Sequence, residues 1–259
     1  MKRVVVIADL HCGHRSGLTP PQYQYQDDAE EPLLAKFGEF QRALWEWYEK
    51  TIAALQPIDT LIVNGDALDG KAEKSGGTEL ITSDRNAQVG MASESIKLAK
   101  AGKVYVIKGT GYHVGTDEDW EDVLADKIGA AHVGNHEWID AEGVIIDCRH
   151  MVSGSTIPHG RYTAMARQAL WNSLSAEREM QPKANIIIRS HRHFYAYCGE
   201  MRWLAISTPA LQGWTKFGSN IVEGTNDIGL ISIDAEGGDY SWKAHLLDMR
   251  FARAQSLPA

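Results

Sequence analysis

The stretch ANIIIRSHRHFY, Ala184 to Tyr195, decides how the rest of the chain is read. Ile186, Ile187 and Ile188 are three consecutive β-branched residues, the pattern of a strand buried on both faces, and His191 and His193 stand just past its end. Two histidines at i, i+2 leaving a strand can reach two neighbouring points. One histidine in such a place is usually structural; a second at this spacing favours metal ligation and directs the search upstream for further ligands.

The same grammar recurs upstream. Arg3 to Ala8 reads as a buried central strand that ends on Asp9-Leu10-His11, and Asp59 to Val63 as a second strand followed by Asn64-Gly65-Asp66-Ala67-Leu68-Asp69-Gly70. Lys103 to Lys108 runs into Gly109-Thr110-Gly111-Tyr112-His113-Val114-Gly115, and Gly143 to Asp147 leads to Cys148-Arg149-His150. In open α/β sheets functional groups collect at the carboxyl ends of strands. Gly65 lets the backbone come close to such a site, while the carboxylate of Asp66 has two oxygens with which to bridge two cations. Asp69 fits better as an outer acceptor that orients a histidine. Each of these taken singly has a bland reading as a turn or capping residue. Together, Asp9, His11, Asp66, His113, His150, His191 and His193 are oxygen and imidazole donors without cysteine, a set that suits Mn, Fe, Zn or Ni. Seven groups exceed the needs of one ion, so two divalent ions are expected.

Between these points, Phe37, Phe40, Leu44, Trp47, Ile52 and Leu55 recur at helical spacing from Lys36 onward. Further helices are predicted over Asn86 to Lys100, over Glu118 to Ile128 with Thr116 or Asp117 as N-cap, and over Arg161 to Leu174. Residues 12 to 35 read as a long surface excursion and residues 71 to 85 as a polar loop. The alternation of strand and helix predicts an α/β protein with a mostly parallel sheet. From Trp138 onward strands dominate, and Trp203 to Thr208, Asp227 to Asp234 and Tyr240 to Leu247 are expected to close a second sheet.

With 259 residues, 44% hydrophobic and 23% charged, the chain is expected to form one domain spanning 1–259. A net charge of -8 argues against a broad basic surface gripping long nucleic acid, although bound metal ions could still hold a phosphate. Cys12, Cys148 and Cys198 suggest neither a disulfide framework nor a thiolate zinc site, which fits a reducing cytoplasm. The first residues look like the first strand rather than a signal peptide, and no run approaches a membrane span.

The motifs Asp9-x-His11, Gly65-Asp66-x-x-Asp69, His150 and His191-x-His193 resemble those of the calcineurin-like metallophosphoesterases, over Val4 to about Thr208. The Gly109 to Gly115 segment, G-T-x-x-H-V-G, looks closest to divergent phage and prophage members. The resemblance implies a four-layer αββα sandwich of two mixed sheets flanked by helices, with a binuclear metal site at the strand carboxyl ends. It implies that Asp9, His11 and His193 bind one metal, His150 and His191 the other, and Asp66 bridges, with Mn the first choice of metal. His113 would be the general acid, supported by Asp69, while a metal-bridging hydroxide attacks the phosphate ester. Phosphodiesters, including nucleotides or nucleic acid, and phosphomonoesters are the implied substrates; an inactive scaffold on the same fold is the alternative. Thr110 departs from the family pattern, which has an asparagine ligand there. A literal Gly134-Asn135-His136-Glu137 lies after the next helix rather than at the strand end, so Asn135 and His136 are read as turn residues. His14, His132, His159 and His245 match no family position, with His14 and His159 left as possible cleft neighbours.

Overall fold

The computed structural model describes residues 1–26, 32–115, 119–154, 157–215 and 225–249. Its strands are β1 (Lys2–Ile7), β2 (Thr60–Asn64), β3 (Lys103–Ile107), β4 (His132–Gly134), β5 (His136–Ala141), β6 (Val144–Arg149), β7 (Ile186–Arg189), β8 (Ala196–Glu200), β9 (Trp203–Ser207), β10 (Ile228–Glu236) and β11 (Asp239–Leu247). The helices are α1 (Pro32–Leu55), α2 (Arg85–Lys97), the single turn α3 (Gly111–Val114), α4 (Trp120–Ile128) and α5 (Gly160–Glu177).

Two mixed sheets form, in the orders β11-β10-β1-β2-β3-β4 and β5-β6-β7-β9-β8. In the first, β1 to β4 run parallel, β10 runs antiparallel to β1 and β11 antiparallel to β10; in the second, β6, β7 and β9 run parallel with antiparallel edges. Side-chain alternation sorts the apolar residues into three interfaces. On β1, Val5 and Ile7 pack with Leu44, Tyr48 and Ile52 of α1, Met91 of α2 and Leu124 of α4, whereas Val4 and Val6 face Ile146, Ile186 and Ile188 of the other sheet. Ile187 and Ala205 on the far face of the second sheet meet Met165 and Ala169 of α5. The result is helix, sheet, sheet, helix, the four-layer α/β sandwich expected.

Several expectations need correction. β10 and β11 do not close the second sheet; β10 pairs with β1 and extends the first. Ile228 and Leu230 face the helices and Ile231 and Ile233 face the other sheet. A strand apolar on both sides needs cover on both, which the place beside β1 supplies. Residues 12 to 20 are no surface excursion, for Cys12, Leu18 and Thr19 are fully buried and Leu18 N–H returns to the carbonyl of Leu10. Residues 27–31 of that stretch lie outside the described residues. The N-cap of α4 is Asp119, whose side chain accepts from Glu121 N–H; Thr116 and Asp117 lie outside the described residues. His136 opens β5 rather than sitting in a turn, and the short strands β4 and β8 carried no readable alternation.

Candidate metal centre

Beyond the ends of β1 and β2 the two chains continue side by side, with Asp9 N–H bonded to Gly65 O, His11 N–H to Asp66 O and Cys12 N–H to Ala67 O, each at 3.0 Å. The pairing turns both segments into left-handed backbone. Nine non-glycine residues with positive φ occur among the described residues, and five of them are Asp9, His11, Asp66, His191 and His193. Such backbone costs about 1–3 kcal/mol per residue and persists only where its surroundings impose it. Gly65, at φ +87°, is required as well, since a Cβ there would collide with the His150 ring.

These turns bring Asp9, His11 and His193 into one group and Asp66, His150 and His191 into another. In the first, Asp9 Oδ1 lies 3.2 Å from His193 Nε2 and 3.9 Å from His11 Nε2, and the two histidine Nε2 atoms face each other at 3.3 Å. In the second, Asp66 Oδ2 lies 3.0 Å from His150 Nε2 and 3.8 Å from His191 Nδ1. Asp9 Oδ1 is also 3.9 Å from His150 Nε2, so one carboxylate oxygen faces both groups. Each group draws on both sheets.

Asp9 Oδ1 is fully buried and has no hydrogen-bond partner among the described residues. A bare carboxylate oxygen in a dry place is costly unless a cation answers it, so this atom, ringed by imidazole nitrogens, fits a divalent ion. The ring nitrogens fit as well. His11 Nδ1 donates to Asp69 Oδ1 at 2.9 Å, which leaves the Nε2 lone pair aimed into the group. Burial, aided by the charges of His113 and His193, lowers His11 to about 4, so its imidazole is neutral at physiological pH. A third trio, His11, Asp69 and His113, shares His11, and its Asp69 carboxylate is already engaged with His11 Nδ1.

Burial resists charge on Asp66, yet the neighbouring His150 more than offsets it and holds the carboxyl well below the usual carboxylate range. His150 responds in kind: burial pulls it down, and the Asp66 carboxylate raises it to about 10. Its Nδ1 donates to the Asn64 carbonyl at 2.7 Å and its Nε2 to Asp66 Oδ2. Asp9 is likewise lowered, with burial opposed by His193 and His150.

Thr110 gives Asp66 two donors, N–H at 2.7 Å and Oγ1–H at 3.1 Å to Oδ1. His113 meets Asp69 twice, with Nδ1 2.9 Å from the main-chain carbonyl and 3.6 Å from Oδ1. The His191 and His193 side chains keep 30% and 24% exposure, so the centre opens to solvent on the side of the turn after β7.

Gly134 to Glu137 stays apart. His136 Nε2 hydrogen-bonds Asp147 Oδ1 at 2.9 Å on the outer, α5 face of the second sheet, and Glu137 pairs with His132. His14 is buried against Ser16 and His245 bonds Ser232, while His159 precedes α5; none joins either group.

Two supporting residues escaped the sequence reading. Glu121, fully buried, accepts from Ala67 N–H at 2.9 Å and Gly109 N–H at 2.6 Å, tying the turn after β2 to the turn after β3. Burial, reinforced by Asp66, raises its carboxyl to about 8. Asn64 donates to Ser190 Oγ at 2.6 Å and to the Arg149 carbonyl at 3.3 Å, joining the ends of β2, β6 and β7. An acid in a first helical turn and an asparagine at a strand end have ordinary local explanations, so nothing in the sequence marked either one.

No family model and no curated protein matches the chain. Among solved structures it is similar to Vps29 of Chaetomium thermophilum (9% identity, 95% of this chain and 97% of that one, TM-score 0.48). It is also similar to Vps29 of Entamoeba histolytica in complex with zinc (15%, 95% and 98%, 0.45) and to an archaeal phosphodiesterase (9%, 94% and 99%, 0.44). Likeness at this level lends no activity to this chain, whose chemistry has to come from its own residues.

Proposed function

We propose that this chain is a metal-dependent phosphoesterase of the calcineurin-like type. Its substrates would be phosphodiesters, nucleotides or nucleic acid among them, or phosphomonoesters. The observation that carries this reading is the convergence of two His/Asp groups on the buried, unbonded Oδ1 of Asp9. Asp9, His11 and His193 would hold one divalent ion and His150 and His191 the other, with Asp66 between them. Mn, ahead of Fe, Zn or Ni, suits this set of oxygen and imidazole donors. When bound, such ions supply charge to phosphoryl oxygens and activate water near neutral pH.

The chain's own part is to prepare donors and move one proton. Asp69 keeps His11 in the tautomer with a free Nε2, and His150 must give up its Nε2 proton to become a ligand. His113, its Nδ1–H directed to the Asp69 carbonyl, would pass a proton from Nε2 to the departing alkoxide. The Gly109 to Gly115 segment places the chain, on our reading, with the phage-type members, and the free cysteines suit a reducing cytoplasm. Among the described residues no helix is long and apolar enough to cross a membrane.

One observation favours a second reading, a catalytically weak or inactive binding protein on the same fold. Thr110 stands where the resembled family has asparagine, and both its donors are spent on Asp66. Metal content after dialysis against Mn, Ni or Zn, measured alongside turnover of bis-p-nitrophenyl phosphate, separates the two. Metal uptake with turnover supports the enzyme. Uptake without turnover favours the scaffold, and no uptake sinks both forms of the metal reading.

A further inference from the structure

β8 is the edge of the second sheet and β11 the edge of the first, so the inter-sheet faces of both reach solvent along one side of the sandwich. A file of aromatic rings lies there. Tyr195, two residues past His193, has its ring centroid 5.9 Å from that of Tyr197 and 6.3 Å from that of Trp242, and Tyr197 meets Trp242 edge-on at 4.8 Å. Tyr197 remains 51% exposed, more than closing a core requires. Trp242 also lines a cavity of about 640 Å³ whose wall carries Lys183, Arg202, Asp239 and Tyr240. Neither Lys183 nor Arg202 has an ion-pair partner among the described residues.

The topology gives the file a direction. The candidate centre sits at the carboxyl ends of β1, β2, β6 and β7, and β8, antiparallel to β9, runs away from it. The turn that carries Arg202 is therefore at the far end, about 20 Å from Tyr195 by strand rise. Rings come first and cations last. Successive bases stack on aromatic faces whatever their identity, and phosphates need only a local positive charge.

We propose that this edge binds single-stranded nucleic acid, with bases on Tyr195, Tyr197 and Trp242 and the backbone reaching Lys183 and Arg202. The proposal deepens the phosphoesterase reading and rests on it for one consequence, that the strand is cut at the end beside His193. Binding alone does not depend on that reading. It reconciles an acidic protein with a nucleic-acid ligand, because two cations at one end of a short track need no basic surface.

The test is fluorescence anisotropy with labelled oligothymidylates of two to ten nucleotides, in chelator so that nothing is cut. The full chain should bind, more tightly with length up to about six nucleotides, and a duplex of equal length at least ten-fold more weakly. Tyr197→Ser, at an exposed position that leaves the fold intact, and Trp242→Leu should each weaken binding about ten-fold. The Lys183→Ala/Arg202→Ala double variant should flatten the salt dependence of log affinity by about 1–2. None should change turnover of bis-p-nitrophenyl phosphate. Equal affinity for wild type and Tyr197→Ser, or no gain with length beyond a mononucleotide, overturns the track. Absence of small-diester turnover in the wild type overturns the phosphoesterase reading and leaves the binding result to decide the track by itself.

Discussion

His113 and Asp69 divide the labour of one small circuit, in which the carboxylate of Asp69 holds His11 and its carbonyl holds His113. If His113 donates the proton, His113→Gln should slow esters with poor leaving groups by about 10²–10⁴-fold and activated aryl esters far less. Comparing methyl and p-nitrophenyl esters checks this, and equal losses would exclude the acid role. The pH response of the metal-free protein follows from three groups. His150, raised from 6.5 to about 10, contributes stability that is complete below pH 6.5 and disappears as pH climbs to about 10. Glu121, raised from 4.5 to about 8, loses its contribution in the same direction. His11, lowered to about 4, acts oppositely, destabilising the fold as pH drops below 6.5. Melting in chelator should therefore weaken between pH 6.5 and about 10, and saturating metal should reduce that slope by displacing the His150 proton. A flat profile in chelator would show that the charge on His150 is not what Asp66 holds.

Among the elements, those buried on both faces were the most legible. Ile186 to Ile188 announced β7 and Arg3 to Ala8 announced β1; Asp9, Asp66, His150, His191 and His193 follow strand ends closely, whereas His113 falls in the helical turn α3, six residues past the end of β3. What escaped was whatever depends on partners remote in sequence. β10 could have joined either sheet until its two apolar faces were weighed against the available cover, and β8 is recognisable only from its neighbour β9. The contact of α5 with the second sheet is another such case. Arg189, 2% exposed, donates to Asp147 Oδ1 at 2.7 Å, and Asn172 of α5 reaches the other carboxylate oxygen at 3.2 Å. Arg189→Met should cost about 3–5 kcal/mol by leaving Asp147 buried without its cation, and pairing it with Asp147→Leu should recover much of that. Urea denaturation of the single and double variants measures both. A single variant within 1 kcal/mol of wild type would mean that His136 suffices for Asp147.

At the scale of the whole molecule, each His/Asp group is split between layers: Asp9, His11 and Asp66 come from the first sheet and His150, His191 and His193 from the second. Saturation with metal at about a hundred times its dissociation constant should add about 2.7 kcal/mol to stability, and chelation should remove it, read as a shift in melting temperature. No shift with any divalent metal would disprove the centre. The division has a mechanical consequence too. Ile62 and Ile188 lie in the layer that sets how far one sheet stands from the other, well inside the sandwich and remote from solvent. Trimming a methyl from such a residue would let the sheets settle closer, so the grip on any ion held there would become a gauge of how tightly two slabs of apolar side chains are pressed together.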